Sequence, residues 1–242
     1  MTAIRIDNLT KRYKDLTAVD GLSLTIEKGE LFSLLGVNGA GKTTTIKMLS
    51  CLTQPTGGDA ILGGKSILRE PAAVKAIIGV SPQETAVAPG LTARENLELI
   101  CGIHRFPKEK QSARIAELTE LLGLESILDR RAGKLSGGWQ RRLSIAMALI
   151  SEPEILFLDE PTLGLDVLAR SELWELIRAL RGKITIILTT HYMEEAEALS
   201  DRIAIMKAGK LLVCDTPDNI KATAGAASIE QAFISIVKEA GK

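Results

Sequence analysis

The sequence has 242 residues, 30 basic and 30 acidic side chains, and 45% hydrophobic residues. A chain of this length buries about 70% of its unfolded surface on folding, enough for a substantial core, so disordered and collagen-like classes are excluded. Zero net charge argues against a nucleic-acid binder held by basic excess, and the longest apolar run, Ile145 to Ile150, is six residues where a membrane-spanning helix needs about 20.

The opening residues have neither a charged n-region nor an apolar h-region, so a cytoplasmic chain is expected. Cys51, Cys101 and Cys214 are scattered and odd in number, as expected of buried, reduced thiols. Alternation at Ile4, Ile6 and Leu9, then at Leu22, Leu24 and Ile26, predicts strands. After a turn at Glu27-Lys28-Gly29-Glu30, Leu31 to Leu35 reads as a buried strand that runs into a glycine-rich loop and a helix over about Lys42 to Leu49. From about Glu84 to Pro153 the signals are mainly helical; Ile115, Leu118, Leu121 and Leu122 share one face and Gly123 supplies a C-cap. This stretch reads as a helical lobe inserted into the core. Ile155 to Leu158 is a short apolar strand ending at Asp159-Glu160. A helix carrying Leu168, Leu173, Leu176, Ile177 and Leu180 stops at Gly182, and Ile184 to Leu188 is another buried strand ending near His191. Wholly apolar strands alternating with helices predict a parallel sheet covered on both faces. Arg202 to Met206 and Leu211 to Cys214 flank a turn and read as a hairpin.

Gly36-Val37-Asn38-Gly39-Ala40-Gly41-Lys42-Thr43 fits the phosphate-loop pattern G-x-x-x-x-G-K-[ST] between a predicted strand and a predicted helix. Its glycines allow a tight turn with backbone N–H groups aimed at phosphate oxygens, and the helix N-terminus adds a positive dipole. Lys42 supplies a point charge to the β- and γ-phosphates, and the Thr43 hydroxyl is a Mg²⁺ ligand candidate. Asp159 and Glu160 end an apolar strand, where two adjacent carboxylates are expensive unless a cation or a reactive water uses them. Asp159 is the metal-side candidate and Glu160 the candidate to polarise the attacking water. The Asn-Lys-x-Asp segment that GTPases normally carry is absent; a small-molecule kinase remains open on the loop and the carboxylates alone.

Leu135-Ser136-Gly137-Gly138-Trp139-Gln140-Arg141-Arg142-Leu143 closes that alternative. With the loop and the carboxylates it closely resembles the ATP-binding cassette (ABC) family of ATPases, across nearly the whole chain and through six motifs in the family's order. The resemblance implies an α/β fold, a P-loop NTPase core with a mainly parallel sheet, an N-terminal antiparallel β portion and an inserted helical lobe. One domain is expected over 1–242, with the core at about 1–83 and 154–215, the lobe at about 84–153 and a C-terminal tail at about 216–242.

In the family two cassettes face each other and bury two ATP molecules. Ser136, Gly137 and Gly138 match the signature that contacts the γ-phosphate held by the opposite subunit; Trp139 departs from the more usual polar residue or methionine. Gln83 matches the glutamine that reaches Mg²⁺ and the water region, and His191 the histidine that senses the γ-phosphate and partners the catalytic carboxylate. Asp166, in Gly164-Leu165-Asp166, matches a loop that crosses the dimer interface, with Val167 in place of the usual proline. Tyr13 matches the aromatic that stacks on adenine. The implied nucleotide-binding set is completed by Asn38, Gly39, Ala40, Gly41 and Thr44 of the loop, and the implied metal set is Thr43, Gln83 and Asp159.

The implied partners are a second ABC ATPase subunit, identical or paralogous, and integral membrane permease subunits, with no nucleic acid. The implied location is the inner face of the cell membrane, reached through the permease. Thr190-His191-Tyr192-Met193-Glu194-Glu195-Ala196, Leu91 to Leu97 and Ser228 to Phe233 resemble the drug- and antibiotic-exporting branch, so export is expected over import. Only 94 residues separate Lys42 from Gly137, which leaves no room for the coiled coils of chromosome-maintenance relatives. A single phosphate loop also argues against the two-cassette translation factors.

Overall fold

The computed structural model describes residues 1–240. Two sheets form the body. The first is antiparallel, in the order β2-β1-β4-β5: β1 (Thr2–Tyr13) and β2 (Leu16–Glu27) form a long hairpin, and β4 (Gly57–Leu62) adds to β1 and to the short β5 (Lys65–Ser66). The second has the order β10-β9-β3-β8-β7-β6. Here β3 (Leu31–Leu35), β6 (Ile78–Ser81), β7 (Ile155–Asp159), β8 (Thr185–Thr190) and β9 (Arg202–Lys207) are parallel. β10 (Lys210–Asp215) closes the edge as the antiparallel arm of the expected hairpin. All residues of β3, β7 and β8 are buried, which explains why their centres are largely apolar rather than alternating.

Helix α1 (Lys42–Leu49) follows the glycine loop, and α2 (Pro71–Ile77) leads into β6. The segment 57–77, with its two strands and one helix, is structure that the sequence reading did not resolve. The helical stretch forms as expected: α3 (Ala93–Ile103), α4 (Lys108–Leu122) and α5 (Gly137–Leu149). Thr92 and Glu95 close a capping box on α3, and Gly123 ends α4 in the left-handed conformation. α6 (Val167–Leu180) buries Leu173, Ile177 and Leu180, but Leu168 is 69% exposed, so the expected apolar face does not include the helix's first turn. α7 (Met193–Leu199) and α8 (Pro217–Thr223) are short. α9 (Ile229–Glu239) buries Ile229 and Phe233 and lays Ile236 and Val237 on a separate cluster with Leu35, Ile203 and Ile205. Cys101 is buried, whereas Cys51 and Cys214 are partly exposed; all three are free thiols. No helix among the described residues is long and apolar enough to cross a membrane.

Parallel register decides where chemistry can sit. Leu35 pairs with Thr190, and Asp159 with Thr189, so β3, β7 and β8 end on one edge, and β6 ends beside β7. The glycine loop, Gln83, Glu160 and His191 follow those four ends, the edge at which α/β sheets place ligands.

Candidate active site

The loop owes its shape to close packing as much as to backbone freedom. A Cβ at Gly36 would lie 2.5 Å from the Met206 carbonyl oxygen. At Gly41, φ is 103° and a Cβ would meet the Ala18 carbonyl oxygen at 2.5 Å. The loop opens into a cavity of about 470 Å³ lined by Asn38 to Thr44, Gln83, Glu160 and His191, with Leu16, Ala18 and Leu163. Ten of the expected site residues are therefore brought to one space.

Lys42 is 5% exposed; its Nζ donates to the carbonyl oxygen of Gly36 at 2.7 Å and pairs with Glu160 Oε1 at 3.2 Å. The other Glu160 oxygen, Oε2, lies 2.7 Å from His191 Nδ1. Glu160 is thus held between a cation and an imidazole while 6% exposed. Its backbone is in the left-handed region at φ 49°, a conformation that costs about 1–3 kcal/mol in a non-glycine residue and persists only where its surroundings enforce it. Here the Glu160 N–H donates to both the carbonyl and the hydroxyl oxygen of Thr189, at 3.1 and 3.0 Å. The Tyr192 ring stacks on His191 at 4.1 Å between centroids, and the Arg170 guanidinium lies 4.6 Å over Tyr192.

Asp159 sits behind the cavity wall. Its Oδ1 accepts from the Thr43 hydroxyl at 3.2 Å and the Thr189 hydroxyl at 2.5 Å. The Asp159 carboxylate and the Thr43 hydroxyl meet, and Gln83 lines the same cavity as Thr43; these are hard oxygen donors, which fit Mg²⁺ shared with phosphates better than a softer ion.

The remaining expected residues lie elsewhere. Gly36 and Asp159 back the cavity without lining it. Tyr13, 43% exposed, ends β1 opposite Leu16, which does line the cavity, and Lys11 Nζ lies 4.9 Å above its ring. Ser136 is the N-cap of α5 and is exposed, with a hydroxyl that makes no capping bond. With Gly137 and Gly138 it stands outside the cavity. Asp166 caps α6 of its own chain, accepting from the Ala169 N–H at 2.9 Å. Trp139 lies under Arg142, whose guanidinium is 4.7 Å from the ring and also pairs with Glu172.

Two buried charged residues were missed by sequence reasoning. Arg141 is 4% exposed and donates at 2.6 Å to each of the carbonyl oxygens of Pro82 and Gln83, tying the Gln83 loop to the signature helix. Burial pushes its pKa down, opposed by the charges of Asp159 and Glu195. Glu195 is fully buried; its Oε1 accepts from the Thr162 hydroxyl at 2.8 Å and the Trp174 indole N–H at 3.0 Å. Burial raises its pKa, with the hydroxyls of Thr190 and Thr162 and the Trp174 indole opposing. The one available signal for Glu195 was its place one turn after His191.

The model of the ABC transporter family matches residues 19–163, a span that includes the loop, Gln83, the signature and both carboxylates. The daunorubicin resistance ATP-binding protein DrrA3 of Streptomyces coeruleorubidus is 42% identical over 242 residues, all of this chain and 75% of that one. A Nod factor export ATP-binding protein of Paraburkholderia xenovorans is 43% identical over 223 residues, 91% of this chain and 73% of that one. The fold matches a solved ATP binding subunit of an ABC transporter with a TM-score of 0.86 at 27% identity, covering 97% of this chain and 99% of the other. It also matches a dimeric post-hydrolysis ATP-binding cassette bound to ADP and Pi, with a TM-score of 0.79 at 29% identity over 88% of this chain and 98% of that one. A family model matched over residues 19–163 and 42% identity along the whole of this chain place it in the ABC transporter family, as an ATP-binding cassette ATPase.

Proposed function

We propose that two such chains, or this chain and a paralogue, close head to tail over two ATP molecules and that ATP turnover drives export through separate membrane subunits, with the cassettes at the inner face of the membrane. The observation that supports pairing is the position of the signature. Ser136 to Gly138 present an uncommitted hydroxyl and the N-terminus of α5, yet lie outside their own chain's cavity. They are suited to a phosphate held by a facing loop. The names of the relatives, drug resistance and Nod factor export, support export over import.

Within each cavity, the loop N–H groups and Lys42 bind the phosphates, and a nucleotide draws Lys42 away from Glu160. Glu160 then accepts a proton from water at Oε1, while His191 holds Oε2 and faces the γ-phosphate. Thr43, Asp159 and Gln83 would hold Mg²⁺, which supplies charge neutralisation at the β- and γ-phosphates when bound. ATP favours the closed pair by binding it more tightly than the open one, and hydrolysis removes that difference. Through Arg141, the Gln83 loop and the signature helix move as one piece.

The test is affinity purification of the chain from detergent-solubilised membranes, with mass spectrometry of what accompanies it. A polytopic membrane protein in near-equal amount is expected. An added periplasmic or lipoprotein binding component would favour import, and recovery only with ribosomes or nucleic acid would overturn the transport reading.

Tyr13 gives a narrower prediction. Stacking on a base is worth about 1–3 kcal/mol, so Tyr13→Ala should weaken ATP binding roughly 5- to 150-fold with kcat nearly unchanged. Titration with a fluorescent ATP analogue checks this, and unaltered affinity would make Tyr13 a part of the hairpin alone.

A further inference from the structure

The hydrolytic pair bridges two separate segments. Glu160 begins the stretch that runs to Asp166 and α6, whereas His191 ends β8 and leads into α7. Their 2.7 Å contact therefore depends on how those segments are held against each other. Glu195 stands four residues past His191, on the first turn of α7, and Thr162 two residues past Glu160. The Thr162 hydroxyl donates to Glu195 Oε1 at 2.8 Å, and Trp174 of α6 donates to the same oxygen at 3.0 Å. Glu195 and Thr162 are both fully buried, and neither lines the nucleotide cavity. A second polar bridge thus runs between the two segments, one helical turn behind the first.

A carboxylate in that place is not explained by packing. Apart from the nearby Thr190 hydroxyl, which favours the charged form, its buried Oε2 has no hydrogen-bond partner of good geometry among the described residues, an arrangement that an apolar side chain would avoid. What the carboxylate offers that a leucine does not is one oxygen able to accept from a threonine and a tryptophan on different elements at once.

We propose that Glu195 is a positioning residue for ATP hydrolysis: its Oε1 clamps Thr162 and α6 to α7 and thereby sets the contact between Glu160 and His191. The proposal rests on the reading of Glu160 and His191 as the hydrolytic pair. Because Glu195 does not touch the cavity, its removal should act on turnover and leave nucleotide affinity alone. A displacement of about 1 Å in a reacting group can cost on the order of a hundredfold in rate.

The experiment is a double-mutant cycle on steady-state ATP hydrolysis by the 242-residue chain together with the membrane subunits that co-purify with it. Glu195→Leu keeps the bulk and removes the acceptors; it should lower kcat about tenfold to a hundredfold with KM unchanged. Glu195→Gln keeps an acceptor oxygen facing Thr162 and Trp174 and should recover at least half of the wild-type kcat. Thr162→Val removes one donor without touching Glu195, and carries the test if the leucine variant does not fold. Its kcat should fall several-fold with KM unchanged. In a His191→Ala background, Glu195→Leu or Thr162→Val should add less than a twofold loss, since the group being positioned is gone. A loss that multiplies in that background, or rises in KM alone, would overturn the positioning role while leaving the hydrolytic pair standing. Normal hydrolysis by His191→Ala alone would remove the pair itself, and the clamp with it.

Discussion

Glu160→Gln is expected to slow ATP turnover at least about a hundredfold, the usual scale for loss of a general base, while nucleotide binding survives or strengthens. The direction follows from what Glu160 touches. Its Oε1 lies 3.2 Å from Lys42 Nζ and its Oε2 2.7 Å from His191 Nδ1. The carboxamide keeps the shape and can still meet His191, but it cannot take a proton from water. It also releases the buried Lys42 from its counter-charge, so the phosphates of ATP gain a cation they would otherwise compete for. Turnover and binding should therefore separate in one variant, and ATP-driven pairing should become long-lived enough to follow by size-exclusion chromatography. Near-normal hydrolysis would remove Glu160 from the role of base. A hydrolysing chain that never pairs, even as Glu160→Gln, would contradict the head-to-tail mechanism.

The parts of this site legible in the sequence are those whose chemistry requires fixed spacing along one segment. The loop from Gly36 to Thr43 is such a case, and so is the adjacent pair Asp159-Glu160 at the end of an apolar strand. What was not legible depends on partners far away along the chain. The loop pattern fixes Gly36 as a glycine, but the packing that requires it, the Met206 carbonyl lying against it, is not visible in that pattern. Arg141 stands out in the sequence only as part of the segment Leu135 to Leu143, yet its guanidinium is buried on the carbonyl oxygens of Pro82 and Gln83. Backbone acceptors leave no trace in residue identity. Glu195 lies in the acidic run Glu194 to Glu197 on a helix of only seven residues, where nothing in the local pattern marks one glutamate as buried. Leu168 errs in the opposite sense: its spacing matches the buried face of α6, but the Asp166 cap starts the helix at the surface and leaves Val167 and Leu168 exposed. Strand order was legible only as a parallel class. The pairing of β4 with β1, across the loop and α1, is a long-range choice made by packing.

Lys42→Met carries the second large effect, and it separates folding from binding. Methionine fills nearly the same space but has no charge, so Glu160 is left buried with only His191 beside it. Breaking one side of a buried ion pair costs about 3–5 kcal/mol, and the remaining imidazole contact places this case near 3 kcal/mol. For a chain of this size that corresponds to a fall in Tm of roughly 6–12 °C. Nucleotide binding should fall independently. A hydrogen bond to a charged group contributes about 1.5–3 kcal/mol, so affinity should drop roughly 10- to 150-fold. Thermal melts with and without ATP read both effects: at about a hundred times Kd a ligand adds about 2.7 kcal/mol to wild-type stability, and most of that increment should vanish in the variant. The double variant Lys42→Met with Glu160→Gln distinguishes the two losses. A neutral carboxamide needs no cation, so most of the nucleotide-free Tm should return, whereas the ATP-dependent increment should not. A wild-type Tm in Lys42→Met would mean that the buried pair adds nothing net to the fold. An undiminished response to ATP would mean that the phosphates are held elsewhere than in the loop from Gly36 to Thr43.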